Sequence, residues 1–143
     1  MGGPIPGVEL VHIARETDNV DRLVAFYTEI LGFKRMDTPT FGPFQVAWLE
    51  FPPSQQIHII QRNPDSKLPE SPLNAGPDSR KDPSALPRGH HLSFRVSDYD
   101  AAVKSLKEKG FDVFEKDQQG HTIKQAFFFD PDGNGIEIGS WPK

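Results

Sequence analysis

The chain has 143 residues, 16 Lys and Arg against 20 Asp and Glu, a formal charge of −4, and no cysteine. The length suits one domain or two small modules, and without a basic run there is nothing to neutralise nucleic-acid phosphates. No stretch approaches the roughly 20 apolar residues of a membrane span, and the absence of cysteine excludes disulfides and thiolate metal sites, which fits a cytoplasmic protein.

Residues 1–7 read as a flexible leader, with the folded domain running over 8–141. The first element is a β-branched strand from Val8 to Ala14, after which Thr17, Asp18 and Asn19 offer helix N-caps. Val20, Leu23, Val24, Tyr27, Ile30 and Leu31 then recur at three- and four-residue steps, and Gly32 stands where a helix stops. Three strands follow, Phe33 to Asp37, Phe44 to Phe51 and Gln56 to Gln61, with Pro52-Pro53-Ser54 as the turn between the last two. Residues 63–88 carry six prolines among polar residues and read as an irregular connector. The second half repeats the first. A strand from His91 to Val96, caps at Ser97 and Asp98, a helix with Ala102, Val103 and Leu106 inward and a stop at Gly110 come first. Strands at Asp112 to Lys116, Ile123 to Phe129 and Gly135 to Ser140 follow, and Asp130-Pro131-Asp132-Gly133-Asn134 supplies the last turn. Module one therefore spans about 8–62 and module two about 89–141, each in the order βαβββ.

The repeat carries chemistry. His12 and His91 lie 79 positions apart, as do His58 and Glu137, while Leu31-Gly32-Phe33 recurs as Lys109-Gly110-Phe111 after 78. Each of the four polar residues alternates with apolar neighbours: His12 between Val11 and Ile13, His58 between Ile57 and Ile59, Glu137 between Ile136 and Ile138, and His91 with Leu92, Phe94 and Val96. Side chains alternate faces along a strand, so the apolar sets belong under helices and the four polar groups share the opposite face. The fold class is therefore α+β: two paired βαβββ modules forming a curved, eight-stranded cup around a metal site. Three imidazoles and a carboxylate suit one divalent ion, whether zinc, nickel, cobalt, iron or manganese, and do not decide among them. His90 has the wrong parity and His121 falls in a loop beside Gly120, so both read as ordinary polar residues.

The opening histidine strand with its helix VDRLVAFYTEILGF, the segment HHLSFRV and the closing hairpin FFFDPDGNGIEI are similar to the vicinal oxygen chelate superfamily, specifically its glyoxalase I-like, or lactoylglutathione lyase-like, proteins. The resemblance covers residues 8–141. It implies metal ligands at His12, His58, His91 and Glu137, and an enzyme that converts a glutathione hemithioacetal of a 2-oxoaldehyde to a 2-hydroxyacyl thioester. Glu137 would be the base of an enediolate mechanism, and family members often work as homodimers. Two positions depart from glyoxalase I: His58 stands where glutamate is frequent, and Glu16 where an arginine commonly meets the glutathione carboxylate. Arg15 and Arg88 are candidate substitutes for that arginine, Trp48 a candidate pocket wall, and Glu50 a second candidate carboxylate. The alternatives are an isomerase or epimerase of another small carbonyl compound, without glutathione, and a noncatalytic small-molecule binding protein.

Overall fold

A computed structural model describes residues 3–52, 54–76 and 80–143. Parts of the expected leader, of the Pro52-Pro53-Ser54 turn and of the connector thus lie outside the described residues. The chain divides into two compact units, residues 1–66 and 67–143.

The first unit holds β1 (His12–Thr17), α1 (Val20–Glu29), β2 (Lys34–Arg35), β3 (Val46–Phe51) and β4 (Gln55–Gln61), in the sheet order β1-β4-β3-β2. Asn19 caps α1, its Oδ1 accepting the Arg22 amide at 3.0 Å, and supplies one of the acceptors a helix start lacks. The helix ends as its glycine predicts: Gly32 takes a φ of +82°, and the Phe33 amide turns back to the Tyr27 carbonyl at 2.9 Å. Val20, Leu23, Val24, Phe26 and Tyr27 are buried on α1, which packs against β3 and β4. Ala47, Leu49, Ile57 and Ile59 form the buried sheet face. Parallel pairing of β1 with β4 places Ala14 beside His58 and His12 beside Gln56.

The second unit repeats this plan with β5 (His91–Arg95), α3 (Tyr99–Glu108), β6 (Phe114–Lys116), β7 (Gln125–Phe129) and β8 (Gly135–Gly139), in the order β5-β8-β7-β6. Asp98 caps α3 by accepting the Ala101 amide at 3.0 Å. Ala126, Phe128, Ile136 and Ile138 form its buried apolar face, and Phe111, just beyond α3, meets Phe128 edge to face at 5.6 Å. Asp130 closes the β7–β8 turn. Its Oδ1 accepts the amides of Asp132 and Asn134, both at 2.9 Å, and its Oδ2 accepts from Asn134 Nδ2 at 2.8 Å, so these buried polar groups are structural. The two βαβββ modules of the sequence reading are present, each with its own four-stranded sheet.

Boundaries shift for identifiable reasons. β1 starts at His12, not Val8, because its partner β4 starts only at Gln55; Val8, Leu10 and Val11 are left exposed. The 63–88 connector is more ordered than its prolines suggest. It contains a helical turn, α2 (Pro72–Ala75), and a 3-10 helix, Pro83–Arg88, whose Pro83 and Leu86 are buried against β7 and β6. Among the described residues no helix is long and apolar enough to cross a membrane.

Candidate metal centre

In the first unit, strand pairing sets His12 and His58 on the sheet face away from α1. Their rings stack with centroids 3.9 Å apart and planes 10° from parallel. Trp48, directly across from His58 on β3, stacks on its other side at 4.3 Å and 7°. His58 is therefore held between two flat rings, and Gln56 Oε1 lies 3.0 Å from its Nε2. Burial first, and the neighbouring His12 second, lower the His58 pKa below its ordinary value. Both effects favour the neutral imidazole, the form that carries a lone pair for a metal.

In the second unit, His91 Nε2 lies 3.2 Å from Glu137 Oε2, and Glu137 is almost fully buried. His91 Nδ1 is 2.9 Å from the Gly89 carbonyl. A carbonyl only accepts, so Nδ1 carries the hydrogen in that bond and Nε2 is the nitrogen turned toward the carboxylate. Two donors each about 2.0–2.2 Å from one divalent ion, at an angle near 100°, would lie roughly 3.2 Å apart. The observed pair has that spacing and the backbone carbonyl that commonly orients a ligating imidazole. Among the described residues the donors come as these two pairs, and no group of three or more His, Asp or Glu side chains is gathered.

The profile of the Glyoxalase/Bleomycin resistance protein/Dioxygenase superfamily matches residues 9–138. The chain belongs to this superfamily. It is 31% identical over 139 residues to "Glyoxylase I 4" of Arabidopsis thaliana, an alignment covering 96% of this chain and 73% of that one. It is 28% identical over 142 residues to a "Lactoylglutathione lyase" of Schizosaccharomyces pombe, covering 92% of this chain but only 47% of that protein's length. A "2-epi-5-epi-valiolone epimerase" of Actinomyces sp. is 27% identical over 128 residues, covering 74% and 62%. The fold matches that of a glyoxalase/dioxygenase from Nostoc punctiforme with a TM-score of 0.69 at 23% identity, covering 100% and 99% of the two chains.

Within this superfamily fold the other residues singled out from the sequence scatter. Arg15 shares the parity of Ile13 and Thr17, so it lies on the helix side of β1, its Nη1 donating to the Ala14 carbonyl at 3.5 Å. Arg88 is exposed at the end of the 3-10 helix. Glu50 is exposed beside a cavity of about 210 Å³ at the β3–β4 hairpin, which Phe51, Ser54 and Gln56 also line. His90 and His121 are exposed. Glu16, on the same face as His12, keeps Oε1 buried with no hydrogen-bond partner among the described residues.

Three residues that the sequence pattern does not mark build the surroundings of Glu137 and His91. Gln125 Nε2 donates to Glu137 Oε1 at 2.7 Å. Ser93, across from Glu137 on β5, accepts a 2.9 Å bond from Trp141 Nε1, whose ring lies over Gly139. Gly135, across from His91, contributes by having no side chain: a Cβ there would lie 2.6 Å from the His90 carbonyl oxygen and 3.0 Å from His91 Cβ. Gln125 was within reach of the alternation argument, since it pairs across from Gly139 and shares the face of Phe127 and Glu137.

Proposed function

We propose that the protein is a metal-dependent lyase or isomerase of glyoxalase I type, acting on a glutathione hemithioacetal of a 2-oxoaldehyde. His12, His58, His91 and Glu137 would hold one divalent ion. The observation that carries this reading is the His91–Glu137 pair, 3.2 Å apart with the imidazole tautomer set by Gly89. All-nitrogen-and-oxygen donors, three of them imidazoles, favour zinc or nickel, with cobalt, manganese and iron as lesser candidates. The names carried by the plant and yeast relatives support the same chemistry.

When bound, the ion would polarise the substrate's adjacent oxygens and stabilise the negative charge that develops between them. Glu137 takes the proton from the hemithioacetal carbon, leaving an enediolate, and returns it to the neighbouring carbon; no net proton or electron is exchanged. Trp48 offers a flat apolar wall beside His58 for the aldehyde's substituent. Arg88 supplies an exposed cation for a glutathione carboxylate, whereas Arg15, on the opposite face of β1, has no role in this reading. We further propose a cytoplasmic homodimer, whose mass sedimentation would measure.

A second reading, isomerisation or epimerisation of a carbonyl substrate without glutathione, is favoured by Glu16. Its buried, unpartnered oxygen on the His12 face would repel a carboxylate and welcome a hydroxyl or ammonium donor. The Actinomyces relative carries an epimerase name. A noncatalytic binding role has no such specific support. Thioester formation from methylglyoxal and glutathione, assayed on protein stripped and reloaded with zinc, nickel, cobalt and manganese, separates the readings. Turnover abolished by chelator supports the first, and none from metal-loaded protein removes it in favour of the second.

A further inference from the structure

Glu137 has two carboxylate oxygens, and they are differently engaged. Oε2 faces His91 Nε2 at 3.2 Å, whereas Oε1 accepts from Gln125 Nε2 at 2.7 Å. A carboxylate accepts only, so the Gln125 amide must present its nitrogen to it and its orientation is fixed by chemistry. The bond to an ionised acceptor is of the short, strong kind.

Gln125 is itself held. Its backbone carbonyl accepts from the Tyr99 hydroxyl at 3.2 Å, Tyr99 being the buried first residue of α3. Its strand neighbours fix its direction, because Phe127, two residues along, lies directly across from Glu137. Phe127 in turn meets the His91 ring edge to face at 5.2 Å. The carboxylate thus sits in a frame with a donor on one oxygen, an imidazole on the other, and an aromatic wall between.

We infer that Gln125 is a positioning residue for Glu137: by occupying Oε1 it leaves Oε2 as the single oxygen presented to the metal and to the substrate proton. This rests on the reading of Glu137 as ligand and base. Two consequences follow from elementary chemistry. With Oε1 tied to Gln125, Glu137 would offer a bound ion Oε2 rather than both oxygens. With the carboxylate anchored at one end, Oε2 would keep its place while it takes and returns the substrate proton. Hydrogen-bonded partners of metal ligands are commonly worth about 10–100-fold in metal affinity or activity.

The test uses the full chain with Gln125→Met, which keeps length and flexibility but has no N–H, and Gln125→Asn, which keeps the amide but is one methylene too short. Cobalt(II) titration is read by the visible absorption of the bound ion, with methylglyoxal–glutathione turnover as the second measurement. The expected result is a changed cobalt spectrum in both variants, cobalt affinity weakened by about 10-fold or more, and kcat lowered by about 10–100-fold with KM nearly unchanged. Near-ultraviolet circular dichroism matching the wild type would establish that the variants are folded. A wild-type cobalt spectrum and affinity in both folded variants would overturn this role for Gln125 while leaving the metal reading intact. Failure of the wild type to bind cobalt, zinc or nickel would overturn the metal reading and this inference with it.

Discussion

Replacing Gly135 with alanine tests how closely the surroundings of the His91–Glu137 pair are built. The new Cβ would fall 2.6 Å from the His90 carbonyl oxygen, 2.6 Å from Leu86 Cδ2 and 3.0 Å from His91 Cβ. The leucine tip can rotate away, but the His90 carbonyl is backbone and leads directly into β5. Relief therefore requires β5 to move from β8, and His91 moves with it. Overpacking of this kind costs about 1–3 kcal/mol, and for a chain near this size each kcal/mol lowers Tm by roughly 2–4 °C. The expected drop is at least about 2 °C, accompanied by weaker cobalt binding, because His91 and Glu137 are drawn apart from their 3.2 Å spacing. Thermal unfolding followed by circular dichroism, with cobalt titration on the same samples, measures both. A Gly135→Ala protein with unchanged Tm and unchanged cobalt affinity would refute the packing argument.

Glu137→Gln is expected to preserve the fold, since the amide is isosteric, and to lower kcat by at least about 10²-fold, the usual scale for a lost general base. Full turnover in that variant would place the base elsewhere, with Glu50 the next candidate. Tyr99 makes a pH prediction: burial first, and the Glu115 carboxylate second, raise its pKa above the ordinary 10.0. As pH climbs past that value the unfolded phenol ionises while the folded one stays protonated, so this contribution is full below pH 10 and fades above it. Denaturant midpoints for the wild type and Tyr99→Phe should therefore converge as pH rises above that value, and a gap that widens would contradict the assignment.

Much of this architecture was written in alternation and spacing. The 79-residue intervals singled out His12 and His58, whose rings stack, and His91 and Glu137, which lie 3.2 Å apart, and strand parity correctly set Ile57 and Ile59 against α1 with His58 on the other side. The same rule places Arg15 with Ile13 on the helix side, against the candidate role that its charge and its nearness to His12 in sequence suggest. What spacing could not show was the consequence of pairing. Val8 to Val11 have strand composition but lie ahead of the residues that β4 offers as partners, and β2 keeps only the two residues that pair with Glu50 and Leu49 on β3. The proline-rich connector gained its 3-10 helix from tertiary burial of Pro83 and Leu86, a contact with β6 and β7 that local composition does not encode. Gln125 went unnoticed because amides in strands are ordinary, and only its 2.7 Å bond to Glu137 distinguishes it.

The central proposal is that His12, His58, His91 and Glu137 would hold a single divalent ion. Equilibrium zinc and cobalt titration of the wild type beside His12→Ala, His58→Ala, His91→Ala and Glu137→Ala tests it most directly. The account predicts one ion per chain in the wild type and a loss of affinity in each of the four variants. Binding that survives unchanged in the His12 and His58 variants would show that these imidazoles are not ligands, and binding unchanged in all four would contradict the metal centre altogether.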